Sequence, residues 1–217
     1  MRIKRYAAGL AAVVALAASG FGGTGATAET GGHFVSAASH TKIVGSEVEG
    51  HRLHFAVDGG TSIACLNASY AGTLTSATAT EISLSPSWLE CHTTAPESQT
   101  FRIEDLGCTL VLTVGKSPAA HNTGHVKCPE GTLGIDLRHP NCTIRIPPQT
   151  VNGLAYLKPE ATPDLITLNS TVTSMQMQHE GGVCIFLGTN HTGTMTGSVT
   201  LSGYDAGGTQ VGLTATG

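Results

Sequence analysis

The sequence has 217 residues, of which 40% are hydrophobic, 12% charged and 5% aromatic, with 28 glycines, six cysteines and a formal net charge of −4. A charged fraction about half the usual ~25% excludes a coiled coil and a charge-driven disordered chain. The acidic balance argues against a nucleic-acid binder, which must neutralise phosphates with Lys and Arg.

The N-terminus reads as an address. Arg2, Lys4 and Arg5 form a positive start, residues 7–18 are an apolar run broken only by Gly9, and Ala26-Thr27-Ala28 supplies small residues at a cleavage site. This is the three-part pattern of a secretory signal peptide over residues 1–28, with cleavage after Ala28. The apolar run is too short for a spanning helix, and no later stretch is long enough, so no membrane span is expected. An outer-membrane barrel would need aromatic girdles that five Phe, four Tyr and one Trp do not supply. The Ala-rich leader has a bacterial look. Residues 29–217 would carry eight basic and fifteen acidic side chains.

Residues 29–41, with adjacent glycines and no periodicity, read as a flexible lead-in. From residue 42 the dominant period is two. Leu53, Phe55 and Val57 alternate with Arg52, His54 and Ala56. Leu133, Ile135 and Leu137 alternate with Gly134, Asp136 and Arg138. Cys142, Ile144 and Ile146 share one face, as do Met195, Val199 and Leu201. Residues 183–187 are apolar on both sides and suit a central strand. Asp58-Gly59-Gly60, Arg138-His139-Pro140-Asn141, Glu180-Gly181-Gly182 and Asp205-Ala206-Gly207-Gly208 provide the turns between runs. No twelve-residue segment carries a helical stripe. The expectation is an all-β chain, an antiparallel β-sandwich of about a dozen short strands. Residues 116–124 and 158–163 are polar, Pro-containing stretches, but residues 42–217 are expected to form a single β domain.

All six cysteines, Cys65, Cys91, Cys108, Cys128, Cys142 and Cys184, follow the leader. An even number in a secreted chain reads as disulfides. If the runs around Cys108 and Cys128 form a hairpin centred near Pro118, those two face each other. Cys65 then pairs with Cys91, and Cys142 with Cys184. There is no CxxC, so neither a redox motif nor a zinc ribbon is expected.

Patterns that carry chemistry are sparse. His51 and His54, three apart, would point to opposite faces of a strand. His121 and His125 could join Cys128 around zinc, but an oxidised Cys128 removes that set, so no metal and no cofactor are expected. The remaining histidines read as surface residues. Neither a Gly-x-Ser-x-Gly elbow nor a Walker loop occurs. Glu47, Glu49, Glu81, Glu104 and Asp105 are acids of unknown separation, which leaves paired-carboxylate chemistry open. Trp88, the only Trp, reads as a packing residue beside a disulfide. Asn67, Asn141, Asn169 and Asn190 match the N-glycosylation triplet, but a bacterial leader gives no reason to expect glycans.

The segments Gly45-Ser46-Glu47, His54-Phe55-Ala56-Val57-Asp58-Gly59 and Ile63-Ala64-Cys65 are followed by Leu106-Gly107-Cys108, Val126-Lys127-Cys128-Pro129 and the run from Cys142-Thr143-Ile144 to Pro148-Gln149-Thr150. In these, over most of residues 42–213, the chain resembles secreted, β-rich hypothetical proteins of Solirubrobacter-type actinobacteria. The resemblance is specific in the placement and order of the cysteines. It implies secretion and a β fold, and no activity.

The functional expectation is a secreted, non-catalytic β protein with a binding or structural role toward an unknown extracellular ligand or cell-surface partner. Its alternatives are a small-molecule carrier with an apolar β-barrel interior and a secreted hydrolase whose site is unidentified.

Overall fold

A computed structural model describes residues 31–57, 62–94, 99–116, 122–157, 164–181, 184 and 192–217. Among these residues the chain is all-β and no α-helix forms. The strands in order are β1 (His33–Ser36), β2 (Thr41–Glu47), β3 (Leu53–Val57), β4 (Ser62–Leu74), β5 (Thr78–Ala79), β6 (Glu81–Thr93), β7 (Thr100–Glu104), β8 (Thr109–Thr113) and β9 (Asn122–Lys127). They continue with β10 (Ile135–His139), β11 (Cys142–Ile146), β12 (Gln149–Leu157), β13 (Leu165–Gln176), β14 (Gln178–Glu180), β15 (Thr192–Tyr204), β16 (Gln210–Val211) and β17 (Leu213–Thr216).

The all-β expectation holds, but the sandwich does not. Following the antiparallel ladder from β2 leads through β4, β6, β8, β9, β12, β13 and β15 and back to β2. These eight strands form a closed barrel, and the remaining strands are additions to it. Period-two alternation states only that one face of each strand is buried. It cannot say whether that face meets a second sheet or the inside of its own, so the closure was invisible in the sequence.

Four strands, β4, β6, β13 and β15, have 12 or 13 residues each and run past the ring. Shorter strands take over along their far halves. β15 pairs with β2 from Val199 to Tyr204 and with β3 from Gly193 to Thr196. β6 pairs with β8 at Glu81–Leu84 and with β7 at Cys91 and His92. β7, β10, β11 and β14 then continue the wall. The molecule is therefore an elongated barrel with a waist, where one set of short strands gives way to another.

The waist is marked in the long strands by a change of inward-facing parity. On β6, Ile82, Leu84, Pro86 and Trp88 point inward, then Cys91 and Thr93, and Glu90 between the two sets has a positive φ of 52°. On β13 the set Ile166, Leu168 and Val172 gives way to Met175 across Ser174, which has φ 57°. Opposite this shift, β12 bulges between Val151 and Leu154. Gly153 in the bulge has φ 86°, and a Cβ there would lie 2.1 Å from the Thr171 carbonyl oxygen. Only glycine meets both the conformation and the close approach.

Among the described residues, the interior is filled. Phe55, Ile63, Leu84, Leu112, Leu137, Ile144, Ile166 and Leu201 are all buried, and the void at the waist is only about 20 Å³, lined by apolar side chains. A space that small and apolar is a packing gap of a dry core. Leu133, expected on the same face as Ile135 and Leu137, lies before β10 and is exposed.

Residues 33–36, inside the stretch read as a flexible lead-in, instead form β1. It pairs with β17 and β5, and Phe34 is fully buried with its ring edge-on to Tyr156. One aromatic among small residues gave no periodic signal, yet burying a Phe is worth ~1.5–3 kcal/mol. The bridges are Cys65–Cys91, Cys108–Cys128 and Cys142–Cys184. The first joins directly opposed residues of β4 and β6. The leader with Ala28, the Asp58-Gly59-Gly60 turn, Pro118, His121, residues 158–163 and most of the expected strand at 183–187 lie outside the described residues. No helix among the described residues is long and apolar enough to cross a membrane.

Candidate functional site

The most strongly tied ionisable groups form a ladder across β14, β11, β10 and β7. Arg145 clamps Asp136 through Nε to Oδ1 at 2.8 Å and through its second amino group to Oδ2 at 3.1 Å, and its third nitrogen reaches Glu180 at 2.8 Å. Arg138 bonds Asp136 at 2.8 Å and Glu104 at 3.0 Å, and Arg102 closes the row 3.6 Å from Glu104. Asp136 sits on the strand face read as solvent-facing, yet its side chain is fully buried under these guanidinium groups. Burial alone would raise its carboxyl, but the hydrogen bonds from Arg145 and Arg138 outweigh that and hold it below the usual carboxylate range. The same bond to Asp136 raises Arg145 further, against its own burial. A carboxylate fixed in its charged form by two guanidinium groups is a structural pair, poorly suited to exchange protons with a substrate.

Inside the barrel, the Trp88 indole N–H donates to the Tyr70 hydroxyl at 3.1 Å, and the Trp88 ring packs against Phe55 with centroids 5.0 Å apart. Burial pushes the Tyr70 hydroxyl up to about 12, with the Trp88 bond acting the other way. Trp88 is thus a packing residue of the core.

Among the described residues, two clefts open at the waist, one at each place where short strands change over. The first, about 520 Å³, lies in the fork between β6 and β7 and is lined by Pro86 to Leu89 and Arg102 to Leu106. Of its three charges, Arg102 and Glu104 belong to the ladder, and Asp105 accepts the Gly107 N–H.

The second, about 380 Å³, lies on the outer wall where β2 gives way to β3. Between the pairs Val199↔Glu47 and Thr196↔His54, three steps along β15 correspond to seven along the segment that joins β2 to β3. The four extra residues are looped outward. The loop is pinned to Ser198, whose carbonyl accepts from the Val48 N–H at 2.9 Å and whose N–H donates to the His51 carbonyl at 3.0 Å. Gly50, with φ 77°, makes the turn. Gly197 lets the segment pass close by, since a Cβ there would lie 3.0 Å from the Arg52 carbonyl oxygen.

The groove floor is built from two cross-strand rungs, His54–Thr196–Thr171 and Ser198–Asn169. These side chains face outward because Met195, Val199, Leu168 and Val172 face in. His51 and Arg52 form the rim, and no carboxylate lines the groove. None of the side chains of Asn169, Thr171, Thr196 and Ser198 makes a hydrogen bond to another described residue. Each offers both donor and acceptor capacity.

No family model matches this chain, and no curated protein or solved structure matches it. The groove must therefore be read from its own chemistry.

The expected site residues are placed as follows. The six cysteines are all oxidised, including Cys128, so that thiol is not available beside His125, whose ring nitrogen lies 2.9 Å from the Thr150 hydroxyl. His51 and His54, expected on opposite strand faces, share the groove, because β3 begins only at Leu53 and His51 belongs to the loop. Of the acids, Glu104 is in the ladder, Asp105 accepts the Gly107 N–H at 3.0 Å, and Glu81 makes an exposed 3.9 Å pair with Lys127. His139 is half-buried: its Nδ1 is covered, and its ring packs against Phe101. Of the floor residues, sequence reasoning weighed His54 only as half of a metal pair and Asn169 only as a glycosylation triplet, and it missed Thr171, Thr196 and Ser198 as part of a site. Thr and Ser on outward positions look the same whether they floor a groove or face open solvent.

Proposed function

We propose that this is a secreted, non-catalytic binding protein that takes a polar extracellular ligand in the groove between the 48–52 loop and the wall of β3, β15 and β13. The observation that carries this reading is the unengaged donor and acceptor set of Asn169, Thr171, Thr196 and Ser198 on a rigid wall. Polar side chains whose backbone is already fixed in paired strands bind with a reduced ordering cost. Three disulfides are typical of proteins of oxidising compartments, which supports an extracellular location. The carrier alternative draws little support, since the waist void of about 20 Å³ is far below the ~300–1,000 Å³ of ligand pockets.

The test is retention of the protein by insoluble or immobilised extracellular polymers: a neutral glucan, cationic chitosan and anionic polygalacturonate. At least one polymer retains the wild type. Ser198→Trp and Asn169→Trp, which fill the groove, reduce retention to background while keeping the wild-type melting curve. Leu89→Trp in the other cleft leaves retention unchanged. Absence of retention by all three, undiminished retention of both groove variants, or shortening of a polymer during incubation would overturn the proposal.

A further inference from the structure

We infer that the groove recognises an anionic, hydroxyl-rich chain, an acidic sugar polymer bearing carboxylate or sulfate groups. This rests on the groove being the binding site and adds the class of ligand. Four arginines lie among the described residues. Arg102, Arg138 and Arg145 are each tied to carboxylates of the ladder. Arg52 alone makes no ion pair with a described residue, and it stands at the rim of the groove beside His51 and His54.

The surroundings make this guanidinium distinctive. The chain as a whole is acidic, at −4, and residues 29–217 hold nearly twice as many acids as bases. Elsewhere the fold answers its arginines with carboxylates, and here it does not. The lining is one guanidinium, two imidazoles, hydroxyls and an amide, with no acid. A guanidinium offers a planar fork of donors that fits carboxylate and sulfate oxygens. Hydroxyl and amide side chains both give and accept hydrogen bonds, which matches sugar hydroxyls. The rungs repeat across β3, β15 and β13 at the ~4.8 Å strand spacing, so the floor offers a row of polar groups, as an extended chain requires. A small inorganic anion would use Arg52 and leave the floor idle. A neutral sugar would use the floor and leave Arg52 idle.

The experiment is calorimetric titration of the full protein with three probes: a short oligogalacturonate, its methyl-esterified neutral counterpart, and a sulfated dextran oligomer. The acid oligosaccharide is expected to bind about tenfold more tightly than the ester, the gain of one charge-assisted contact. Arg52→Gln should remove that gain and leave ester binding unchanged. Arg102→Gln, which makes the same change in net charge at the other cleft, should leave all three affinities unchanged. The sulfated probe reports whether the charge or the carboxylate shape is read: binding by either anion supports the inference.

Equal binding of acid and ester, with Arg52→Gln silent, would overturn the anionic assignment while leaving a neutral sugar site in the groove. Anion binding unaffected by both Arg52→Gln and Ser198→Trp would overturn the groove itself. Binding of neither anion by the wild type would overturn the inference outright.

Discussion

Asp136→Asn lowers the unfolding free energy by about 3–5 kcal/mol, because it leaves Arg145 buried without its charge partner. Asp136 is fully buried, and Arg145 and Arg138 both bond to it. The amide cannot accept the bidentate clamp with the same charge, and Glu180, more than half exposed, holds only one end of Arg145. The check is urea unfolding at neutral pH, read as a shift of the midpoint at constant slope. Glu81→Gln is the contrast: its pair with Lys127 is exposed on both sides, and such pairs contribute ~0–1 kcal/mol. The ladder also sets a pH dependence. The Asp136 carboxyl is depressed in the folded state, so its contribution is fully present above the unfolded value near ~3.9 and is lost as pH falls through the lower folded value. The wild type therefore loses stability in acid, and the Asp136→Asn protein loses less over the same interval. An unchanged urea midpoint for Asp136→Asn would contradict the structural role of the ladder.

Replacing Cys142 and Cys184 together by Ala costs about 4 kcal/mol in the chain-entropy treatment, the largest of the three bridges because its loop is the longest. The separations are 42 residues here against 26 and 20 for the others. Local structure adds to the ranking. Cys65 and Cys91 are opposed within a ladder that pairs β4 and β6 from Ile63 to Gly72, so the strands stay together without the bond. Cys184 lies beyond β14, whose three residues pair only with β11. Urea unfolding of the three double-alanine proteins checks the order. A loss for Cys142/Cys184 smaller than that for Cys108/Cys128 would contradict it.

The sequence carried the strand character of the chain wherever one parity stayed inside. Leu53 and Phe55, Cys142 to Ile146, and Met195 to Leu201 are such runs. It was silent where parity changes. Leu66 and Asn67 on β4, and Leu89 and Glu90 on β6, are adjacent exposed pairs that break the alternation in the middle of single 13-residue strands. Those breaks hid the long strands that close the barrel. Asp136 misled in another way: alternation placed it in solvent, but it is buried under Arg138 of its own strand and Arg145 of the neighbouring β11, and the cross-strand partner is not encoded by any local pattern. The groove was hidden because its floor comes from Asn169, Thr171, Thr196 and Ser198 on two strands and its rim from a third segment. Gly50 was the one local clue that His51 lies in a turn rather than on the strand of His54.

The most direct test of the central claim, that the looped-out seam between β2 and β3 forms the binding surface of a filled barrel, is amide chemical-shift mapping during titration with a short oligogalacturonate. The account predicts perturbations confined to residues 50–54, 169–171 and 196–198. Perturbations centred on residues 86–89 and 102–106, or spread through core amides such as those of Leu84 and Leu201, would contradict it.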